Sequence, residues 1–444
     1  MVLSNKSYII ANRFGFGVDP KNSKQLNRNP YLWVKNQLNQ KETDTPYIKS
    51  LASSSDLNKK LLAVRATKDR NKIKAVEKSF RKLFANEIKQ RTLHAINTNC
   101  PFLERLTYFW SNHFTVSVQK RELFHLAGAF EREAIRPNIL GDFSDLLINA
   151  IMHPAMLVYL DNIRSFGPNS KRGINRKKGL NENLAREILE LHSLGVDGGY
   201  VQEDVIALAK LITGWTVANR GEKAGQFSFA KNAHEPGVIE FFGRHYENPG
   251  FHRGKAALKY IANHPKTAEH IARKLVIHFI SEDAPEAIVK KIKQTFIVNS
   301  GDLKKVYLKL AFLGNDWASK YSKVKTNQDL IISLGRAATK GLIENNKYYF
   351  NSFKFLGNSP FSANSPAGYS DLNSEILNSR TIMRRLEWAE LAAAKVQFDY
   401  PPEQLSKIIL GNHMSEDTFN AIKNAPSKRY AYAILFASPE FQRR

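Results

Sequence analysis

Asn181 to Val217 reads NENLAREILELHSLGVDGGYVQEDVIALAKLITGWTV. Advancing about 100° per residue places Leu184, Ile188 and Leu191 on one side of a helix, and Gly195 stands where a positive-φ residue would stop it. Val205, Leu208, Ala209 and Ile212 then repeat the helical spacing, with Glu203 and Asp204 suited to a helix start. Two amphipathic helices joined by a glycine turn predict a mainly α protein.

The pattern extends in both directions. Upstream, Pro101 fits the first turn of the helix PFLERLTYFWSNHF, and RELFHLAGAFEREAI and FSDLLINAIMHPAMLVYL read as two more, the second divided at His153-Pro154. Residues 56–97 form a long basic amphipathic segment. Downstream, helices resume with GKAALKYIANHPKTAEHIARKLVIHFI and continue to the C-terminal segments. Strand signals are few. The expected architecture is a multi-helix globular unit over residues 1–444, with a basic surface loop at 164–180 and irregular inserts at 218–254 and 345–374. The first insert has room for a short hairpin.

The 444 residues include 43% hydrophobic and 24% charged side chains, a globular composition. A net charge of +25 makes the surface attractive to polyanions, whether nucleic acid, an anionic membrane face or an acidic polysaccharide. A single cysteine, Cys100, rules out an internal disulfide and a cysteine-rich zinc site. No apolar run reaches the roughly 20 residues of a membrane span. The first apolar run is cut short at Asn12 and Arg13, which makes a poor signal peptide and leaves a cytoplasmic chain or one with a trimmed leader.

Candidate chemistry concentrates in the quoted stretch. Glu182, Arg186 and Glu190 lie four apart opposite the apolar stripe, as in an ordinary ion-pair ladder. Glu187 and His192 fall on the stripe's borders, where a polar group is half desolvated, and are the sharper candidates. Their spacing matches neither Glu-x-x-His nor His-Glu-x-x-His, so a divalent metal, which is not the preferred reading, needs ligands from elsewhere, such as His113, His153, Asp161, His234, His245 or His252. There is no G-x-S-x-G elbow and no strand-to-helix phosphate loop.

The strings ERLTYFWSNHFTVS, EREAIRPNILGDFSDLL, HPAMLVYLDN, LNENLAREILELHSLGVDGGYVQEDVIALAKLITGW, HEPG and HPKTAEHIARKLVIHFI resemble, in order, the bacterial family called domain of unknown function 1800. The resemblance runs from about Tyr8 to Phe441. It implies emphasis on Asn112, His113, Arg136, Asp161, Asn162, Asn181, Arg186, Glu187, Glu190, His192 and His234, but no settled activity. It also implies export in many members and a sulfatase-like or phosphatase-like partner protein. The chain departs from the family at Leu184, where an aromatic is usual, and at GYSD, Gly368 to Asp371, which lacks a proline.

Two functional expectations follow. In the first, Glu187 and His192, joined by His113, Arg136, Asp161 and His234, line one pocket of a hydrolase or lyase. A carboxylate or imidazole is then the acid or base, Arg136 and Arg186 hold an anionic group, Asn112, Asn162, Asn181 and Glu190 assist binding, and the substrate is an anionic or envelope polymer. In the second, the same residues are a buried hydrogen-bond network, and the basic surface docks a polyanion or partner.

Overall fold

The helix Pro101–His113 is buried on nearly every side. Pro101 occupies its first turn, where the missing N–H has no intrahelical partner to lose. Phe102, Leu106, Phe109 and Trp110 supply the apolar contacts expected of a core helix. Glu104, Arg105, Thr107 and His113 are buried with them; Thr107 donates back to the Leu103 carbonyl of its own helix, while the two charges have to be matched from neighbouring elements. Glu104 takes both Arg136, with Nη2 at 2.9 Å, and His94 Nε2, also at 2.9 Å. Arg105 Nη2 donates to Asp329 Oδ1 at 3.1 Å, and Trp110 Nε1 donates to the Tyr307 hydroxyl at 2.6 Å. These spokes tie the helix to Arg70–Asn97, Asn327–Ala337 and Leu303–Trp317.

The structure is a computed structural model that describes residues 2–40, 46–177, 179–317, 323–338 and 346–444. It is 64% helical, with two small two-stranded sheets, so the protein is mainly α. A second core helix, Pro265–Phe279, lies against the first through Phe279, whose ring sits 5.9 Å from Phe102 and 6.1 Å from Phe109. Glu286–Val298 packs on it from outside. Near the end of the chain Ser379–Lys395 packs along Lys428–Ala437. One continuous cluster of buried apolar side chains runs from Leu3 to Phe441. Among the described residues, no helix is long and apolar enough to cross a membrane.

The first insert holds the short hairpin, Ile239–Phe241 with Arg244–Tyr246, and a further strand, Phe227–Phe229, that pairs with Trp215–Val217 just before the insert. Several local expectations need correction. Trp215 to Val217, read as the end of a helix, becomes strand after Gly214 turns the chain at φ 81°. The basic 164–180 loop contains the helix Lys171–Arg176, capped by Ser170, and the second insert contains Asn346–Leu356. At one to three turns, such helices are too short for periodicity to separate from loop. RELFHLAGAFEREAI is no single helix either: a 3-10 turn, the short helix Ala127–Phe130, a π turn at Glu131–Ile135 and a second 3-10 turn at Arg136–Asn138 follow one another. That winding brings Glu131 and Arg136 inward together, 3.6 Å apart.

Removing one partner of a buried pair leaves an uncompensated charge, whereas an exposed pair is largely screened. Glu104→Gln is therefore expected to destabilise the fold by about 3–5 kcal/mol in urea unfolding. Loss of the half-exposed Arg429–Glu390 contact is expected to change stability by less than about 1 kcal/mol.

Candidate functional site

A small cavity of about 90 Å³ opens where Pro101–His113, Pro265–Phe279 and Asn327–Ala337 meet the segment 358–371. Asn112 fastens that segment: its Nδ2 donates to the Tyr369 carbonyl at 2.8 Å, and its Oδ1 accepts from the Tyr369 amide at 2.8 Å. Ser117 Oγ and the Val118 amide hold the Ala363 and Phe361 carbonyls at 2.7 and 2.8 Å. Gly368 lies over Asn112 at φ 80°, and a Cβ there would stand 2.5 Å from the Asn112 carbonyl oxygen.

Charge lines the cavity in an alternating chain. His278 Nδ1 lies 2.8 and 3.0 Å from the two Asp371 carboxylate oxygens. Arg444 reaches Asp371 Oδ1 at 3.3 Å and Asp329 Oδ2 at 3.2 Å, and Arg105 completes the chain at Asp329 Oδ1. Behind it, Lys323 Nζ donates to the Asp371 carbonyl, Lys325 Nζ lies 4.1 Å from the Phe441 ring centre, and Arg385 Nη2 donates to the Lys325 carbonyl at 2.8 Å. Arg105, Arg444, Lys323, Lys325 and Arg385 thus surround two carboxylates, Asp329 and Asp371.

The proton affinities follow that balance. Burial lowers Lys325 to about 7 and Lys323 to about 8, with neighbouring arginines adding to the effect. Burial likewise lowers Arg105 to about 10. Burial opposes ionisation of the two acids, but Arg105 and Arg444 outweigh it and hold Asp329 at about 2, while His278 and Arg444 keep Asp371 well below the carboxylate range. For His278, burial prevails over Asp371 and lowers the imidazole to about 4.

Three groups at the cavity keep donor or acceptor capacity. Among the described residues, Arg105 Nη1, the buried Tyr108 hydroxyl and His278 Nε2 have no hydrogen-bond partner. Arg91, paired with Glu131 at 2.8 Å, lies 3.4 Å over the Tyr108 ring and closes that side.

His278 also ends a stripe in which His270, Lys274 and His278 stand four apart on Pro265–Phe279, on one helix face. His270 Nε2 is 3.1 Å from the Leu191 carbonyl, and His113 Nε2 is 3.2 Å from the His192 carbonyl. Both imidazoles donate to the last carbonyls of the π turn Ile188–His192, which the chain leaves unpaired when it stops at Gly195. A Cβ on Gly195, at φ 85°, would lie 2.8 Å from His270 Nδ1, so this position needs glycine for space as well as conformation. Burial, reinforced by Lys274, lowers His192 to about 3 and His270 to about 4, and His113 far below its usual range. Among the described residues, no group of three His, Cys, Asp or Glu side chains is arranged to hold a metal ion.

The residues expected from sequence are spread over separate networks. His113 and His192 do meet, with ring centres 5.6 Å apart. His192, placed at a half-exposed border, is fully buried, because the helix changes from α to π winding at Ile188 and the even 100° advance no longer applies. Glu187 is half-buried, and burial with the neighbouring Glu190 raises its pKa. Glu182 and Arg186 pair at 3.1 Å and are joined by Gln202; no hydrogen bond or ion pair links Glu190 to them. Arg136 is committed to Glu104, and Asp161 to Lys120 at 2.9 Å. Asn162 donates to the Ile212 and Trp215 carbonyls, and Asn181 Oδ1 accepts the Asn183 amide. His234 is held between the Thr213 carbonyl and Arg253 Nε, and His153 between Glu133 and the Ala155 amide. Of the expected set, only Asn112 lines the cavity. Arg105, Tyr108, His278, Asp329 and Asp371 were missed. The four-residue spacing of His270, Lys274 and His278 on an otherwise apolar helix face was the signal available for His278.

The family model described as protein of unknown function (DUF1800) matches residues 9–443, and the chain belongs to that family. No curated protein and no solved structure matches it.

The buried histidines set a pH dependence. In the unfolded chain imidazoles take up protons near pH 6.5, whereas His192, His270 and His278 in the fold stay neutral to about pH 3–4. The unfolded state binds more protons across that window, so stability falls as pH drops from about 6.5 to 4, by about 1.4 kcal/mol per pH unit for each such group. His192→Phe, followed by urea unfolding between those pH values, is expected to reduce the slope by about one such increment. An unchanged slope contradicts the assignment.

Proposed function

We propose that this member of a family without a stated activity is an acid–base enzyme, a hydrolase or lyase, whose substrate presents a compact oxyanion to the cavity at Arg105 and His278. The observation that carries the reading is the Asp371–His278 pair. Asp371 accepts the Nδ1 proton, which fixes the imidazole tautomer and leaves the Nε2 lone pair without a hydrogen-bond partner among the described residues. With its pKa lowered to about 4 by burial, the imidazole is neutral near pH 7 and available as a base.

Both reaction types begin alike. His278 Nε2 accepts a proton, from an attacking water in hydrolysis or from a substrate carbon in elimination, and Asp371 stabilises the imidazolium that forms. Arg105 Nη1 holds the oxyanion, and the Tyr108 hydroxyl, kept protonated by burial, is a further donor. The local excess of cations supports an anionic substrate group.

A second observation favours polyanion docking at another place. Lys171, Arg172, Arg176 and Arg220 line an open groove of about 780 Å³ with three asparagines. None of the four cations has a carboxylate within 4 Å among the described residues. Such a groove suits an acidic polymer, or the acidic face of a sulfatase-like or phosphatase-like partner protein.

For the enzyme reading, the assay is turnover of aryl sulfates, phosphates and carboxylate esters and of β-substituted carboxylic acids, with binding of sulfate, phosphate and malonate measured by calorimetry. His278→Gln is expected to lower kcat by about 10²–10⁴ with the fold and anion binding retained, Asp371→Asn to lower kcat likewise but at a cost in stability because Arg444 loses a partner, and Arg105→Lys to weaken anion binding. Absence of both turnover and anion binding contradicts it. For the groove, retention on heparin is expected to fall steeply with salt and to be reduced by joint reversal of Arg172, Arg176 and Arg220 to Glu. Unchanged retention removes that reading.

A further inference from the structure

A groove of about 560 Å³ lies between the N-terminal helices and the turn before Pro101, and its lining is unlike the rest of this strongly charged molecule. Seven of its lining residues are asparagine or glutamine, one is Trp33, and the ionised side chains number two, Asp19 and Arg336. Those two already face each other at 3.9 Å. Arg336 is further committed to the carbonyls of Ala95, Ile96 and Thr98 at 2.9 to 3.2 Å, and Asp19 to the Lys21 amide at 2.9 Å and Asn22 Nδ2 at 3.2 Å. Arg336 is moreover buried, so the groove offers a ligand little accessible positive charge.

Its carboxamides divide into two sets. Gln37 is structural, accepting the Phe102 amide at 2.8 Å and donating to the Trp33 carbonyl at 3.1 Å, and Asn97 donates to the Leu93 carbonyl at 2.8 Å. Gln25, Asn36, Gln40 and Asn99 are exposed and make no side-chain hydrogen bond among the described residues. Each presents a donor and an acceptor in one plane. Trp33, half-buried beside them, presents an aromatic surface.

We propose that this groove binds a short uncharged oligosaccharide. Neighbouring hydroxyls on a sugar ring are at once donors and acceptors, which the donor and acceptor of each carboxamide match, while the apolar C–H face of the ring fits against an indole. A nucleotide is disfavoured because the cation in the lining, Arg336, is buried and already faces the Asp19 carboxylate. The volume falls within the ~300–1,000 Å³ of small-ligand sites. The inference concerns a neutral ligand far in character from the oxyanion cavity, and neither reading depends on the other.

The test uses the full chain and uncharged oligosaccharides of glucose, mannose and N-acetylglucosamine as probes, followed by calorimetry and by tryptophan fluorescence. Trp110, Trp215 and Trp388 are fully buried, so a change in emission on binding points to an accessible indole such as Trp33. Binding of at least one probe is expected, with an affinity independent of salt and reduced about tenfold or more by Trp33→Ala. The exposed substitutions Asn36→Ala and Gln40→Ala, which leave the core untouched, are expected to weaken it as well. The proposal is overturned by no binding at about 10 mM of any probe, by affinity that falls steeply with salt, or by affinity that survives both carboxamide substitutions.

Discussion

The structure depends on the need to match the charges buried on a helix with no solvent-facing side. Pro101–His113 carries Glu104, Arg105 and His113 into the core alongside Phe102, Leu106 and Trp110. An unpaired charge in that setting is strongly unfavourable, so each residue dictates a neighbour: Arg136 and His94 for Glu104, Asp329 for Arg105, and the carbonyl end of the π turn for His113. Apolar packing sets which elements can approach the helix. The polar pairs fix their register.

The same requirement generates the cavity. Satisfying Arg105 brings in Asp329, which draws Arg444; Arg444 draws Asp371, and Asp371 aligns His278. The chain of charges ends with more cations than carboxylates, and each lysine in it is less basic than in water. A cavity of this kind attracts an anion and lowers the cost of holding one away from water. The histidine stripe on Pro265–Phe279 serves two places along one helix, with His270 closing a helix terminus and His278 lining the cavity.

Much of the fold was legible in the sequence because helical periodicity is a property of long segments. Leu184 and Ile188 of the expected stripe are buried and the stop at Gly195 is present, but Leu189 takes the buried place expected for Leu191, which is only half-buried. What periodicity could not convey was local winding and partner choice. One π turn carried His192 from a border to the interior, and four short helical pieces replaced a single one before Asn138. The candidate site was less legible still. Arg105 and His278 are 173 positions apart, Asp371 lies in an irregular segment, and nothing local to any of them announces the others. Asn112 was named through the family resemblance, whereas Arg105 and Tyr108 on the same helix were not; Arg136, Asn162 and His234 looked like site residues because buried hydrogen-bond hubs and active sites use the same side chains.

The functional account rests on the state of one imidazole. Nitrogen-15 NMR of the His278 ring, assigned by comparison with His278→Gln, reports both the tautomer and the titration. The account predicts a proton on Nδ1, a free lone pair on Nε2, and a neutral ring from pH 7 down to about 4. A proton on Nε2 at pH 7, or titration near the ordinary pH 6.5, would contradict it.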